Sequence, residues 1–294
     1  MTYVGVEAGG TKIVCGAGRG PDDLTDVTTF PTTTPTETIG RISDYVTEHA
    51  DGLQAIGVAS FGPVDLRESS GTYGYITSTP KPGWNGIDLL GPLRATADVP
   101  IGFDTDVNGA ALAEVRWGAA SDVSSCVYVT VGTGIGGGAY VDGRLVHGLL
   151  HPEMGHLMVH PDPDDPYPGG CPYHGACLEG MASGPAIGER WGTPGQDLTG
   201  DDLRRAVDLE AGYLAQGAAA MVCLLSPERL VFGGGVLHMP GLLDALRART
   251  VAQLNGYIGV PEITERIDSY IVPPGLGDHA GLLGGIALAA DAAA

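Results

Sequence analysis

Four side chains in this sequence can hold a metal ion, and one carboxylate is placed to move a proton. His156 is followed, after a Pro- and Gly-rich loop, by Cys171, His174 and Cys177, the last three spaced C-x2-H-x2-C. Two thiolates and two imidazoles are the donor set of a tetrahedral structural zinc site. One turn can present the three close-spaced ligands, and the loop from His156 supplies the fourth. His147, His151 and His160 are competing donors, less well placed. Glu153 and Glu179 flank the ligand set. A metal-bound imidazole keeps its second ring nitrogen free to donate a hydrogen bond. His156 can therefore present an oriented N–H to a hydroxylated ligand between two acids. The plainer alternative is a surface metal staple without chemistry. The proton-moving candidate is Asp106. In VPIGFDTDVNGAALAE a strand pattern passes into a helix pattern, with Asp104 and Asp106 at the junction. A carboxylate at a helix N-terminus is stabilised by the helix dipole. Asp106 then reads either as a cap or as a general base accepting a hydroxyl proton.

Two glycine turns can meet phosphate. TYVGVEAGGTKIVCGAG reads strand, turn, strand, with Glu7, Gly9, Gly10, Thr11 and Lys12 at the turn. Gly lets backbone N–H groups approach a phosphate, and Thr and Lys can reach its oxygens. The P-loop spacing is absent, and a strand follows where that motif needs a helix. VTVGTGIGGGAYVDGRLV contains G-x-G-x-x-G at Gly132, Gly134 and Gly137. It too continues as a strand, through an Asp-Gly hairpin turn, so a dinucleotide fingerprint fails on context. The two strand–turn–strand units suggest a duplicated architecture. After a short strand, RLVF, Gly233, Gly234 and Gly235 let a backbone lie flat against a ligand such as an adenosine, or simply make a tight turn. Trp84 and Asn85, in a loop broken by Pro80, Pro82, Gly83 and Gly86, read as a sugar-binding rim or as a packed loop anchor.

The elements between these motifs alternate. Helix patterns fall on TIGRISDYVTEHA, on a short SGPAIGERWG with Pro185 near its start, on the long DDLRRAVDLEAGYLAQGAAAMVCLLSPE, on GLLDALRARTVAQLNGYI and on the C-terminal GLLGGIALAADAAA. The 294 residues are enough for two domains. Hydrophobic residues make up 43%, which supports a substantial core. The net charge of −20 opposes nucleic acid and anionic membranes as partners. Cys15, Cys126 and Cys223 sit in apolar runs and read as reduced core thiols. Met1 leads directly into a strand pattern without a signal peptide, and no apolar run is long enough to span a bilayer. A reducing cytoplasm is the expected location.

In order, GVEAGGTK, TSTPKPGW, DTDVNGAALAE, VGTGIGGG, HPEMGH, CPYHGACLEG and VFGGGV resemble the ROK family of sugar kinases, nearest its zinc-containing fructokinase branch. The resemblance implies an α/β, actin-like ATPase (ribonuclease H-like) fold with two domains around a cleft. Residues 1–116, rejoined by 278–294, would form one domain, and 117–277, carrying the zinc loop 151–179, the other. It implies ATP with Mg2+, structural Zn2+, and transfer of the terminal phosphoryl group to a hexose, with D-fructose the expected substrate. By the same resemblance Asp106 is the catalytic base. Gly9, Gly10, Thr11, Lys12, Gly132, Thr133 and Gly134 bind phosphate. Gly233, Gly234, Gly235 and Pro185 contact the nucleotide. Glu153, His156 and Glu179 bind sugar hydroxyls, and His156, Cys171, His174 and Cys177 hold zinc. Three positions depart from the common family pattern: Glu7 stands for Asp, Thr105 for Asn, and C-x2-H-x2-C for C-x-C-x4-C. These departures favour fructose over glucose. Broader hexokinases acting on mannose or glucose, an N-acetylhexosamine kinase, a silent sugar sensor and a DNA-binding repressor are the rivals. The last lacks support, since no helix-turn-helix pattern precedes the first strand. Dimers are common among such proteins, so a homodimer is the assembly to test.

Overall fold

The phosphate-turn pattern at the start of the chain folds as an antiparallel meander of β1 (Thr2–Ala8), β2 (Lys12–Gly18) and β3 (Thr25–Pro31). α1 (Pro35–Glu48) follows; the Thr34 side chain caps it and Pro35 occupies its first turn. Its buried stripe of Ile39, Ile42, Tyr45 and Val46 has helical spacing. β4 (Leu53–Ser60) then runs parallel to β1. The small β5 (Tyr75–Ile76) and β6 (Ile87–Asp88) pair, and α2 (Leu90–Thr96) leads to β7 (Ile101–Thr105), parallel to β4. α3 (Asp106–Trp117) begins on the next residue. The resulting sheet has the order β3-β2-β1-β4-β7. Val4, Val6, Ile13, Ile56 and Val58 are fully buried on it, each such side chain contributing about 1.5–3 kcal/mol of burial.

The structure, a computed structural model, describes residues 2–294. They form two units. One comprises the chain up to Asp122, Arg144–Pro152 and Gly275–Ala294; the other comprises Val123–Gly143 and Glu153–Pro274. In the first, the C-terminal α10 (Ala280–Ala292) packs on β1, β4, β7 and α3. It is apolar on nearly every side, as a helix enclosed on all faces must be. Glycine allows the close approach: a Cβ at Gly57 would lie 1.8 Å from the Gly285 carbonyl oxygen. Ahead of α10, the buried Glu114 carboxylate accepts N–H groups from Ala119 (2.6 Å), Gly275 (2.9 Å) and Leu276 (3.1 Å). Arg144–Pro152, which opens with the two-residue β10 (Arg144–Leu145), groups with this unit, whereas the sequence reading assigns it to the second domain.

The second unit repeats the strand logic. β8 (Cys126–Val131) and β9 (Ile135–Val141) are antiparallel; β11 (Arg229–Gly233) runs parallel to β8, and β12 (Ile271–Val272) parallel to β11. Asp142 (φ 50°) and Gly143 (φ 79°) both take positive φ at the expected Asp-Gly hairpin turn, as a type I′ turn requires. The helices are α4 (Leu178–Ala182), α5 (Gly184–Trp191), α6 (Gly200–Leu225), α7 (Leu242–Leu254), α8 (Pro261–Thr264) and α9 (Ile267–Tyr270). Among the described residues no helix is long and apolar enough to cross a membrane. Cys15 and Cys126 are buried, but Cys223 is exposed. The expectation of a core thiol is corrected there: in the last turns of α6 the buried face carries Met221 and Val222, and Cys223 faces solvent.

Candidate functional site

In the first unit, the β1–β2 turn is closed by the Gly9 N–H donating to the Lys12 carbonyl (3.0 Å). Thr32 braces it, its hydroxyl donating to Gly9 O (2.7 Å) and its N–H to Thr11 O (2.9 Å). Gly10, Thr11 and Lys12 are left exposed. Glu7, behind the turn, accepts the Leu282 N–H in the first turn of α10. Burial raises its pKa, while Lys12 and the Leu282 N–H act to lower it.

Asp106 is the first residue of α3. The capping role belongs to Thr105, whose hydroxyl accepts the Asn108 N–H (3.1 Å). The Asp106 Oδ1 accepts the Val107 N–H (2.9 Å). Asp104 lies beneath, its side chain 3% exposed. Its Oδ1 accepts the Thr105 N–H and the Asn108 Nδ2–H, both at 2.7 Å, and its Oδ2 lies 2.7 Å from His147 Nε2. That contact raises the His147 pKa, against partial burial.

Trp84 requires a correction. Its indole is 1% exposed, donates to Thr33 O (2.9 Å) and meets Phe61 edge-on at 5.3 Å. A ring enclosed on all sides is a loop anchor, not a sugar-binding rim. The neighbouring Asn85 is exposed.

In the second unit, Gly132 N–H donates to Gly134 O (2.9 Å), and Gly132 O accepts the Gly184 N–H at the start of α5 (2.7 Å). Thr133 stands exposed at the tip. Glu179, on α4, accepts the Ile135 N–H (2.9 Å), and a Cβ at Gly134 would come within 2.6 Å of the same carboxylate oxygen. Glu179 therefore links this turn to the Cys/His segment. Gly234 has φ 92°, and a Cβ there would sit 2.4 Å from Val131 O, so both conformation and space demand glycine. A cavity of about 220 Å³ opens beside it, lined by Thr133, Pro185, Ile187, Gly235, Val236 and Met239. One concavity thus gathers members of three sequence motifs.

The donor atoms of His156, Cys171, His174 and Cys177 all lie within 4.8 Å of one another. Cys171 Sγ is 3.8 Å from His156 Nδ1 and 3.6 Å from His174 Nδ1; Cys177 Sγ is 3.5 Å from His156 Nδ1. Four soft and borderline donors around one point suit a divalent metal ion. With Nδ1 turned inward, Nε2 of His156 faces away from the cluster. Burial pushes the Cys177 thiol up to about 11, and a bound cation would reverse that by stabilising the thiolate. Glu153 is exposed as a residue, yet desolvation of its carboxyl and the charge of Glu179 push its pKa up to about 7. Of the rival histidines, His147 meets Asp104 and His151 Nε2 accepts the Val64 N–H (3.1 Å), while His160 lies outside the four-residue group.

A second anchor holds the loop between His156 and Cys171. Asp165 accepts from Arg190 Nε (3.2 Å) and from the Tyr213 hydroxyl (2.7 Å); Arg190 Nη1 also donates to Glu210 (3.0 Å) and Nη2 to Met181 O (2.8 Å). Side-chain exposures of 6%, 1% and 0% for Arg190, Asp165 and Glu210 make this a buried network. The sequence reading identifies none of it, nor the His147–Asp104 pair. Separations of 20 to 48 residues leave no local spacing to recognise.

The model of the ROK family matches residues 3–292. The fructokinase of Zymomonas mobilis is 44% identical, covering 98% of this chain and 96% of the relative. The fructokinase of Pediococcus pentosaceus is 41% identical, with 98% of both chains covered. The chain belongs to the ROK family. The crystal structure of a ROK hexokinase from Thermus thermophilus superposes with a TM-score of 0.77 at 30% identity, covering 99% of this chain and 98% of that one. The ROK fold here is the α/β actin-like ATPase fold, as the sequence motifs imply.

Proposed function

We propose that this ROK protein is an ATP-dependent fructokinase, moving the γ-phosphoryl group of ATP to the 6-hydroxyl of D-fructose and releasing fructose 6-phosphate and ADP. The observation that carries the reading is identity above 40% to two fructokinases along nearly their whole length. In this reading Asp106, at the first position of α3 beside the Thr105 cap, accepts the hydroxyl proton. Such general-base assistance is worth roughly 10²–10⁴-fold in rate. Phosphoryl transfer otherwise rests on alignment and charge stabilisation. The exposed turns at Gly9–Lys12 and Gly132–Gly134 receive the phosphates, and the cavity beside Gly233–Gly235 and Pro185 receives the adenosine. Mg2+ enters with ATP and would neutralise phosphate charge.

The sugar ligands in this reading are Glu153, the Nε2–H of His156, Glu179 and the exposed Asn85. The metal is Zn2+, held by His156, Cys171, His174 and Cys177 as a scaffold. Sulfur and nitrogen donors sharing one tetrahedral ion would lie roughly 3.5 Å apart. The three measured sulfur–nitrogen separations are 3.5, 3.6 and 3.8 Å, close to that value with the last slightly long. Asp106 belongs to the first unit, and the four Cys/His ligands belong to the second. The Cys171 and Cys177 thiols, needed reduced to hold a metal, suit a reducing cytoplasm, and a homodimer is the assembly proposed.

An ADP-release assay across fructose, glucose, mannose and N-acetylhexosamines tests the reading. Fructose is expected to exceed the others at least about tenfold in kcat/KM, roughly the net value of one ordinary hydrogen bond. A preference for glucose or mannose would replace fructose as substrate. ATP left unconsumed with every hexose would make the protein a sensor.

A further inference from the structure

The segment Arg144–Pro152 is tied to the first unit by two imidazoles. His151 accepts the Val64 N–H, and His147 meets Asp104 through Nε2 at 2.7 Å. Asp104 is a buried carboxylate whose other oxygen holds the Thr105 N–H and the Asn108 side-chain N–H. Those two residues stand on either side of Asp106. One carboxylate therefore grips the backbone before Asp106 and the side chain one half-turn after it. Leaving an oxygen of so buried a carboxylate without a partner is costly, so loss of the His147 contact favours rearrangement of the group.

From this geometry we infer that His147 is a positioning residue for the phosphoryl-transfer step: by donating to Asp104 it fixes the β7–α3 junction and, through it, the carboxylate of Asp106. The inference rests on Asp106 being the base. It adds a residue that the metal-ligand spacing considered only as a rival zinc donor. The groups facing the His147 ring are Asp104 from β7, Asn108 from α3 (3.4 Å) and His151 from its own segment. Asp104 raises the imidazole pKa, so the donating N–H is reinforced by charge. At 43% exposure the ring fills no core space, which separates its positioning role from packing.

His147→Ala is expected to lower kcat by roughly 10–100-fold, the scale of a misplacement near 1 Å, with the fructose KM changed less than about threefold. His147→Gln places an amide N–H at the position of Nε2 and should restore most of kcat. In the wild type, ¹⁵N spectra of the ring should show it titrating above 6.5, a measurement independent of how any variant folds. The proposal is overturned if His147→Ala keeps kcat within twofold, if KM rises while kcat holds, if Gln fails to restore what Ala loses, or if the ring titrates at or below 6.5. Asp106→Asn, assayed alongside, separates the two claims. Full turnover in that variant removes the base assignment itself. An inactive Asp106→Asn beside a fully active His147→Ala removes only the role of His147.

Discussion

Replacing Glu210 by Gln should change the slope of stability against pH. Glu210 has no exposed surface and shares the single guanidinium of Arg190 with Asp165. Its second oxygen, Oε2, has no hydrogen-bond partner among the described residues. Burial raises its pKa from 4.5 to about 8, with Arg190 opposing and Asp165 adding to the rise. Two carboxylates and one guanidinium are electrically balanced when Glu210 keeps its proton. The sign follows from linkage. Between pH 4.5 and about 8 the unfolded chain has released this proton and the folded protein retains it. The contribution of Glu210 to wild-type stability therefore falls as pH rises through that window, by about 1.4 kcal/mol per pH unit. Over the full window of about 3.5 pH units the loss approaches about 5 kcal/mol. Gln has no proton to lose. Urea denaturation of both proteins, metal-loaded, at pH 5, 6, 7 and 7.5 isolates the effect, because every other titrating group is common to the pair. The variant should gain about 3 kcal/mol on the wild type between pH 5 and 7.5. Parallel curves would mean that Glu210 is ionised in the folded protein and that the network is charged, contrary to the reasoning.

Three further outcomes are expected. Asp106→Asn should bind fructose as the wild type does in calorimetry but lose roughly 10²–10⁴-fold in kcat; turnover within a few-fold of normal would refute the base. Stripping the metal with a chelator, checked by elemental analysis, should lower the melting temperature and weaken fructose binding together, since closing the Cys/His cluster is coupled to local folding. A metal-free protein that keeps both properties would reduce the cluster to an ornament of the loop. Trp84→Phe should cost about 1 kcal/mol through the lost bond to Thr33 O and leave the fructose KM unchanged; a raised KM would return the indole to the sugar.

Much of this protein is written in short-range pattern. The alternating and apolar runs at Thr2–Ala8, Lys12–Gly18 and Cys126–Val131 become strands because burial of a pleated face depends on neighbours two residues apart. The Asp142–Gly143 turn is legible because only such residues accept positive φ cheaply. Cys171, His174 and Cys177 converge because a tight turn closed by the Gly175 N–H on the Cys171 carbonyl carries His174, and Cys177 follows two residues on. The failures share a cause. Trp84 reads the same on a rim as in a core, and Cys223 the same on either face of α6; the face is chosen by what packs there, which the local sequence does not contain. The group with His147 was open for the same reason. Its partner Asp104 lies 43 residues away, and Asp165, Arg190, Glu210 and Tyr213 come from a loop and two helices. Local periodicity determined the elements, and the chemistry-bearing types were visible in one dimension. Which carboxylate is buried, which proton it keeps and which imidazole holds it still were decided only when desolvation in the folded chain forced each buried charge to find its partner.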